Sequence, residues 1–224
     1  MKKMTALLLS AALLCPTLAL AEDTVKIGIF EPMTGATAAG GSMEKEGFDL
    51  ANELYPDVLG QKIELVYGDN KSDRAEATLA AQSLVDKGVV AVLGSYGSGL
   101  SMAGGEVFAE SEIPALTATA TNPTVTLDCE WYARICFIDP FQGTMLARYA
   151  VKNDYKKIAI MREKDSEYAV GLVKYFQDEI ATHDGFEVVE LCDFMNKDED
   201  FSALLGAVLA QSPDVIFTSV SYAD

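Results

Sequence analysis

The sequence predicts an α/β protein of two lobes, each built on a parallel sheet. Three observations carry this. Apolar runs of strand length alternate with stretches of helical spacing from residue 25 to residue 220, as in chained βαβ units. The strand runs are nearly continuous in apolar residues, as in sheets covered on both faces. An irregular segment near residues 122–139 interrupts the alternation and divides it into two series. The lobes are therefore expected over 22–139 and 140–224, meeting near Asp139.

The elements follow in order. "VKIGIF" (25–30) reads as a strand and "SMEKEGFDLANEL" (42–54) as a helix. A strand over 62–68, a helix over 74–87 and a strand over 89–94 come next. The stretch 100–111 is helical in spacing but weakened by two glycines, and 113–118 reads as a strand. After the irregular segment, helices are expected at 140–153, 168–182 and 201–211. Strands alternate with them at 156–162, 186–191 and 213–220. The last strand is followed by four residues, so its βα unit is left uncovered. The chain is expected to be a fragment of a longer polypeptide, with the second lobe incomplete.

The N-terminus reads as a leader. "MKK" is basic, "MTALLLSAALLC" is a short apolar run, and "ALA" closes at Ala21. This is a cleavable secretory signal over 1–21, too short for a membrane span. Cys15 follows Leu14 rather than a small residue and belongs to that discarded segment. No later stretch has the length of a transmembrane helix, so an exported, soluble product is expected. With 17 Lys and Arg against 34 Asp and Glu, the net charge is −17. That balance argues against nucleic acid, which needs cations to displace counterions, and against anionic lipid. It suits solubility.

Export permits a disulfide. Cys129 and Cys136 flank "EWYARI", a span short enough to fold back, and a bridge between them is expected. Cys192 is then the odd thiol, reduced in the core. No cysteine–histidine spacing fits a metal site.

Ligands of open α/β sheets bind beyond the carboxyl ends of the strands. The loop after the first strand, "EPMTGATAAGGS", matches neither phosphate-binding glycine pattern and reads as a flexible lining. In "YGDNKSD", Asp69 and Asp73 could hold a cation but read more simply as solvated carboxylates. In "GSYGSGLSMAGG", Ser95, Ser98 and Ser101 lie where a helix begins. Free N–H groups there favour an anion; Ser98 can add its hydroxyl or cap the helix, and the two roles do not exclude each other. In "TATATNPT", Thr117, Thr119 and Thr121 alternate. They suit a pleated strand or form a row of neutral donors, and both readings stay open. Catalysis has little to work with. His183, in a turn, is the single histidine, and no nucleophile–base pair is evident, so no enzyme and no cofactor are expected.

The segments "VKIGIFEPMTGATAAGGSMEKEGFDLANE", "KIELVYGDNKSDRAEA", "GVVAVLGSYGSGLSMAGG", "IPALTATATNPTVT", "RICFIDPFQG" and "DFSALLGAV" fall in order with matching gaps. Together they resemble the leucine/isoleucine/valine-binding type of periplasmic substrate-binding protein. The resemblance implies a type I binding protein with two Rossmann-like lobes. It implies a periplasmic monomer that closes on an amino acid, branched-chain or otherwise aliphatic, and delivers it to an inner-membrane ABC permease. A receptor's ligand-sensing domain on the same scaffold, or a binding protein for a short amide or urea, are the alternatives.

Ligand contacts carry over by resemblance to Ser98, Thr119 and Thr121, with main-chain help near Tyr96 and Thr117. Tyr168 closes from the second lobe, with Tyr222 as a second candidate, and Asp139 lies at the first hinge crossing. Two departures follow. A family aromatic that packs on the ligand side chain aligns with Gly40, which should enlarge or reshape the pocket. The family's acidic partner for the ammonium group, and its return crossing, should lie beyond residue 224.

Overall fold

The computed structural model describes residues 24–127 and 129–220. The leader and Tyr222 lie outside the described residues.

The first series forms β1 (Val25–Glu31), α1 (Ala38–Leu54), β2 (Asp57–Val58), β3 (Gln61–Asp69), α2 (Arg74–Asp86), β4 (Ala91–Leu93), α3 (Ser98–Glu110), β5 (Ala115–Thr117) and β6 (Tyr132–Arg134). Its sheet runs β2-β3-β1-β4-β5-β6. All its pairings are parallel except β2 against β3. The second series forms α4 (Asp139–Lys152), β7 (Lys157–Glu163), α5 (Glu167–Ile180), β8 (Glu187–Phe194), α6 (Ser202–Ala210) and β9 (Val215–Ser219). Its parallel sheet runs β8-β7-β9.

The two sheets have separate cores. Phe30, Leu84, Val92 and Phe108 are buried together in the first, with Phe30 and Phe108 edge to face at 5.4 Å. In the second, β7 feeds both faces at the two-residue period of a strand. Ile158 and Ile160 join Val173 and Phe176 on one side. Ala159 and Met161 join Phe194 and Val208 on the other. This double coverage is why the strand runs lack polar alternation.

Three details differ from the sequence reading. Helix α1 starts at Ala38, so Gly40 and Gly41 are buried residues of its first turns rather than loop. Glycine's poor helix propensity is overridden because this end of α1 packs too closely for side chains. A Cβ at Gly40 would stand 2.6 Å from the Tyr96 ring, and one at Gly41 would stand 2.3 Å from the Pro32 carbonyl oxygen. Strands β2 and β6, of two and three residues, are too short to show a period. The Cys129–Cys136 bridge is not formed, and both thiols are free, as is Cys192. Strand β6 runs between the two cysteines and holds them apart. Cys129 packs on the first core, while Cys136 Sγ points to the Ala120 carbonyl at 3.7 Å. A disulfide needs Cα atoms within about 7 Å, which an intervening extended strand works against.

Candidate ligand cleft

The carboxyl ends of β4 and β5 lie side by side, and each carries one half of the site. At β4 the chain leaves through Gly94–Gly97. Gly97 caps α3 at φ +94°, a conformation open to glycine, and no side chain caps that helix. Ser98 is thus the first residue of α3 and not its cap. It is buried, and its Oγ accepts a hydrogen bond from the Asn122 N–H at 3.1 Å. The hydroxyl proton is left for a ligand, next to the free N–H groups of the helix start.

At β5 the three threonines divide their tasks. Thr117 is fully buried. Its hydroxyl donates to the Ser95 carbonyl and accepts from the N–H groups of Thr119 and Ala120. Its own carbonyl accepts from Ile135 N. It shapes the turn and does not line the cleft, contrary to the contact expected near it. Thr119 is exposed to the cleft and donates to Glu44 Oε1. Thr121 is 6 % exposed. Its Oγ1 lies close enough to Asp139 to favour that carboxylate slightly, yet has no partner in hydrogen-bonding geometry.

These groups meet residues of the second series around a cavity of about 220 Å³. It is lined by Tyr96, Gly97, Ser98, Thr119 and Thr121 on one side, and by Phe137, Gln142, Tyr168 and Val220 on the other. The volume is below the roughly 300–1,000 Å³ of drug-sized pockets and suits a small ligand. Ser98, Thr119, Thr121, Tyr96 and Tyr168 are therefore brought together around one cavity. The contribution of Tyr96 is its ring rather than its main chain. Its N–H donates to Glu31 Oε2 at 2.7 Å, and its carbonyl accepts from the Ser95 hydroxyl. The ring stands over Gly40, filling space that an aromatic at that position would occupy. Tyr168 accepts from Gln142 Nε2 at 3.1 Å, and burial pushes its phenol pKa up, so it is neutral.

Four residues not singled out by the sequence hold this arrangement. Arg134, on β6, staples the threonine loop. It donates to the carbonyls of Ala120, Asn122 and Pro123 and to Thr126 Oγ1, at 2.7–3.0 Å. Asn122 joins the two halves. Its N–H holds Ser98 while its side-chain amide donates to the Glu167 carbonyl at 3.0 Å. Arg74 and Glu167 form an ion pair beside the neighbouring space that Ser98 also lines. Asp139, read from the sequence as a hinge, opens α4 and is fully buried. Neither of its carboxyl oxygens has a hydrogen-bond partner. Burial raises its pKa to about 6, partly offset by Thr121 and the Arg134 charge.

The carboxylates considered for a cation are spent on local structure. Asp69 accepts from the N–H groups of Met33, Thr34 and Lys71 and from the Thr34 hydroxyl. Asp73 caps α2. Among the described residues no cluster of three metal-ligating side chains occurs.

A two-lobed α/β protein with neutral donors facing a small interlobe cavity is a solute-binding architecture. The comparisons agree. A family profile described as periplasmic binding protein matches residues 24–224. The chain is 31 % identical over 223 residues to the Leu/Ile/Val-binding protein BraC3 of Rhizobium johnstonii, covering 97 % of this chain and 59 % of that one. It superposes on a leucine-binding protein LivK of Thermotoga maritima with a TM-score of 0.82 and 36 % identity, covering 87 % of this chain and 55 % of that one. A solute-binding protein of an ABC transporter from Rhodopseudomonas palustris, in complex with 4-hydroxybenzoate, gives a TM-score of 0.81 at 26 % identity, over 88 % of this chain and 54 % of that one. The chain belongs to the periplasmic binding protein family. It spans between half and two thirds of the length of these relatives. Among the described residues no helix is long and apolar enough to cross a membrane.

Proposed function

We propose that this chain is the larger part of a periplasmic amino-acid-binding protein that serves an ABC importer. The observation that carries the reading is the cavity itself. It sets the unspent hydroxyl protons of Ser98 and Thr121 and the α3 N-terminus opposite Tyr168. A carboxylate placed there accepts charge-assisted hydrogen bonds worth roughly 1.5–3 kcal/mol each without a buried countercharge. The amino acid's ammonium group lies toward Thr119, and its side chain toward Tyr96 and Phe137. Tyr168, with Tyr222 as a further candidate, closes the far side. Asp139 is the hinge crossing.

A ligand stabilises the closed form only by contacting it better than the open one. Donors on one lobe and Tyr168 on the other supply that difference. The leader over 1–21 carries the chain to the periplasm, where it works as a monomer and meets its permease. A second reading has one observation in its favour. The Rhodopseudomonas palustris neighbour holds 4-hydroxybenzoate, and the donor set at Ser98 and Thr121 suits any carboxylate.

The test is a thermal-shift screen of the full-length protein against the common L-amino acids and benzoates, because a bound ligand raises apparent stability. Calorimetry on Ser98→Ala/Thr121→Ala then follows. The expected result is stabilisation by an aliphatic amino acid and at least about ten-fold weaker binding in the double variant. Stabilisation by benzoates alone moves the assignment to the second reading.

A further inference from the structure

Beneath the cleft lie two carboxyls that the reading above does not use. Glu31 ends β1 and is fully buried. One of its oxygens accepts from Tyr96 N–H at 2.7 Å. Glu44, on α1, receives the Thr119 hydroxyl proton on Oε1. The remaining oxygens, Glu31 Oε1 and Glu44 Oε2, are buried with no hydrogen-bond partner, and the two carboxyls lie close enough to influence each other's titration. Burial and the neighbouring Glu44 raise the Glu31 pKa to about 10, and burial raises Glu44 as well. Two buried carboxyls in contact cannot both ionise. The pair therefore carries one negative charge between its two members, and Glu44 is the member that faces Thr119. The Tyr132 phenol and the Cys136 thiol also feel the pair's charge. Among the described residues no lysine or arginine acts on either carboxyl.

This arrangement fixes what Thr119 can offer. A hydroxyl has one proton to give and two lone pairs. That proton is committed to Glu44, so the side of Thr119 that lines the cavity presents lone pairs alone. Behind it stands a negative charge with no cation to cancel it. Such a group draws an ammonium and repels a carboxylate. Ser98 and Thr121, which line the same cavity, have the opposite character, with protons to give. The cavity is thus polarised, donor at one end and acceptor at the other, as a zwitterion requires.

We propose that the Glu31–Glu44 pair makes this cleft select zwitterionic amino acids over plain carboxylic acids, by holding the Thr119 hydroxyl as an acceptor for the ligand's ammonium group. The proposal rests on the amino-acid reading of the cleft. Glu44 is a positioning residue in it, acting through Thr119.

Calorimetry on the full-length protein tests this with matched pairs that differ only in the amino group: L-leucine against 4-methylpentanoate, and L-valine against 3-methylbutanoate. Wild type is expected to favour the amino acids. Glu44→Gln removes the charge but keeps an acceptor for Thr119. It is expected to weaken amino-acid binding at least ten-fold and to leave the deaminated acid unchanged or tighter. Thr119→Val, at an exposed position, is expected to show the same selective loss. The double variant is expected to lose less than the product of the two single losses, because both act on one contact. Equal weakening of both ligands by Glu44→Gln would mark a merely structural role and overturn the proposal. So would unchanged amino-acid affinity in that variant, or losses that multiply in the double variant. In each of those cases a loss of both ligands in Ser98→Ala would leave the cleft reading standing. Wild type binding neither amino acid, but binding benzoates, would remove the reading and the proposal together.

Discussion

Asp139→Asn in the absence of ligand should remove a loss of stability that sets in as pH rises. Asp139 is fully buried, and neither carboxyl oxygen is paired, so burial favours its protonated form and lifts its pKa to about 6. In the unfolded chain an aspartate titrates near about 3.9. Between those values the folded chain binds more protons than the unfolded one, so stability falls as pH rises. The contribution is fully present below about pH 4 and is lost as pH passes about 6. Each decade of separation is worth about 1.4 kcal/mol, which makes the effect about 3 kcal/mol, taken as an order of magnitude. Asparagine has nearly the same shape and no charge to desolvate, so its variant lacks this term.

The assay is urea unfolding of the full-length wild type and variant at intervals from pH 4 to pH 8. The difference between them isolates Asp139 from every other titrating group. The variant should gain on wild type by about 3 kcal/mol across that window. A difference that stays flat with pH, or one in which wild type gains as pH rises, refutes the argument that Asp139 is buried without a partner.

Three further outcomes follow from the same geometry. Arg134→Ala removes four hydrogen bonds to the threonine loop. It should cost about 3 kcal/mol in chemical denaturation, because carbonyls are left unsatisfied, and it should weaken ligand binding with it. Gly40→Ala puts a Cβ 2.6 Å from the Tyr96 ring. Overpacking of this kind costs about 1–3 kcal/mol, and because the ring lines the cavity, calorimetry should find roughly ten-fold weaker binding. Arg74→Ala breaks an ion pair whose partners are 55 % and 34 % exposed. Equilibrium stability should change by less than about 1 kcal/mol, while stopped-flow release of ligand should be up to about five-fold faster.

Most strands and helices were legible because they are long enough to show a period, and the short strands β4 and β5 because each lies inside a longer apolar run. Strand β6 was not, since three residues carry no period, and with it went the reason for keeping Cys129 and Cys136 apart. The start of α1 was misread because propensity treats Gly40 and Gly41 as loop, whereas tertiary packing demands the missing Cβ atoms. Ser98, Thr119, Thr121 and Tyr168 were legible through ordered motifs at strand ends. Asn122 and Arg134 were not, because their roles consist of bonds to backbone atoms of other segments. Nor was the Glu31–Glu44 contact, which joins β1 to α1 around a turn. An acidic chain offers many carboxylates, and only burial separates this pair from the rest.

The most direct test of the account is a crystal structure of the full-length protein with its tightest-binding amino acid. The account predicts the α-carboxylate within hydrogen-bond distance of Ser98 Oγ and Thr121 Oγ1, with Tyr168 across the cavity. Ligand seated instead in the neighbouring space of about 320 Å³ beside Arg74 and Glu167, which Ser98 also lines, with Thr121 and Tyr168 out of reach, would contradict it.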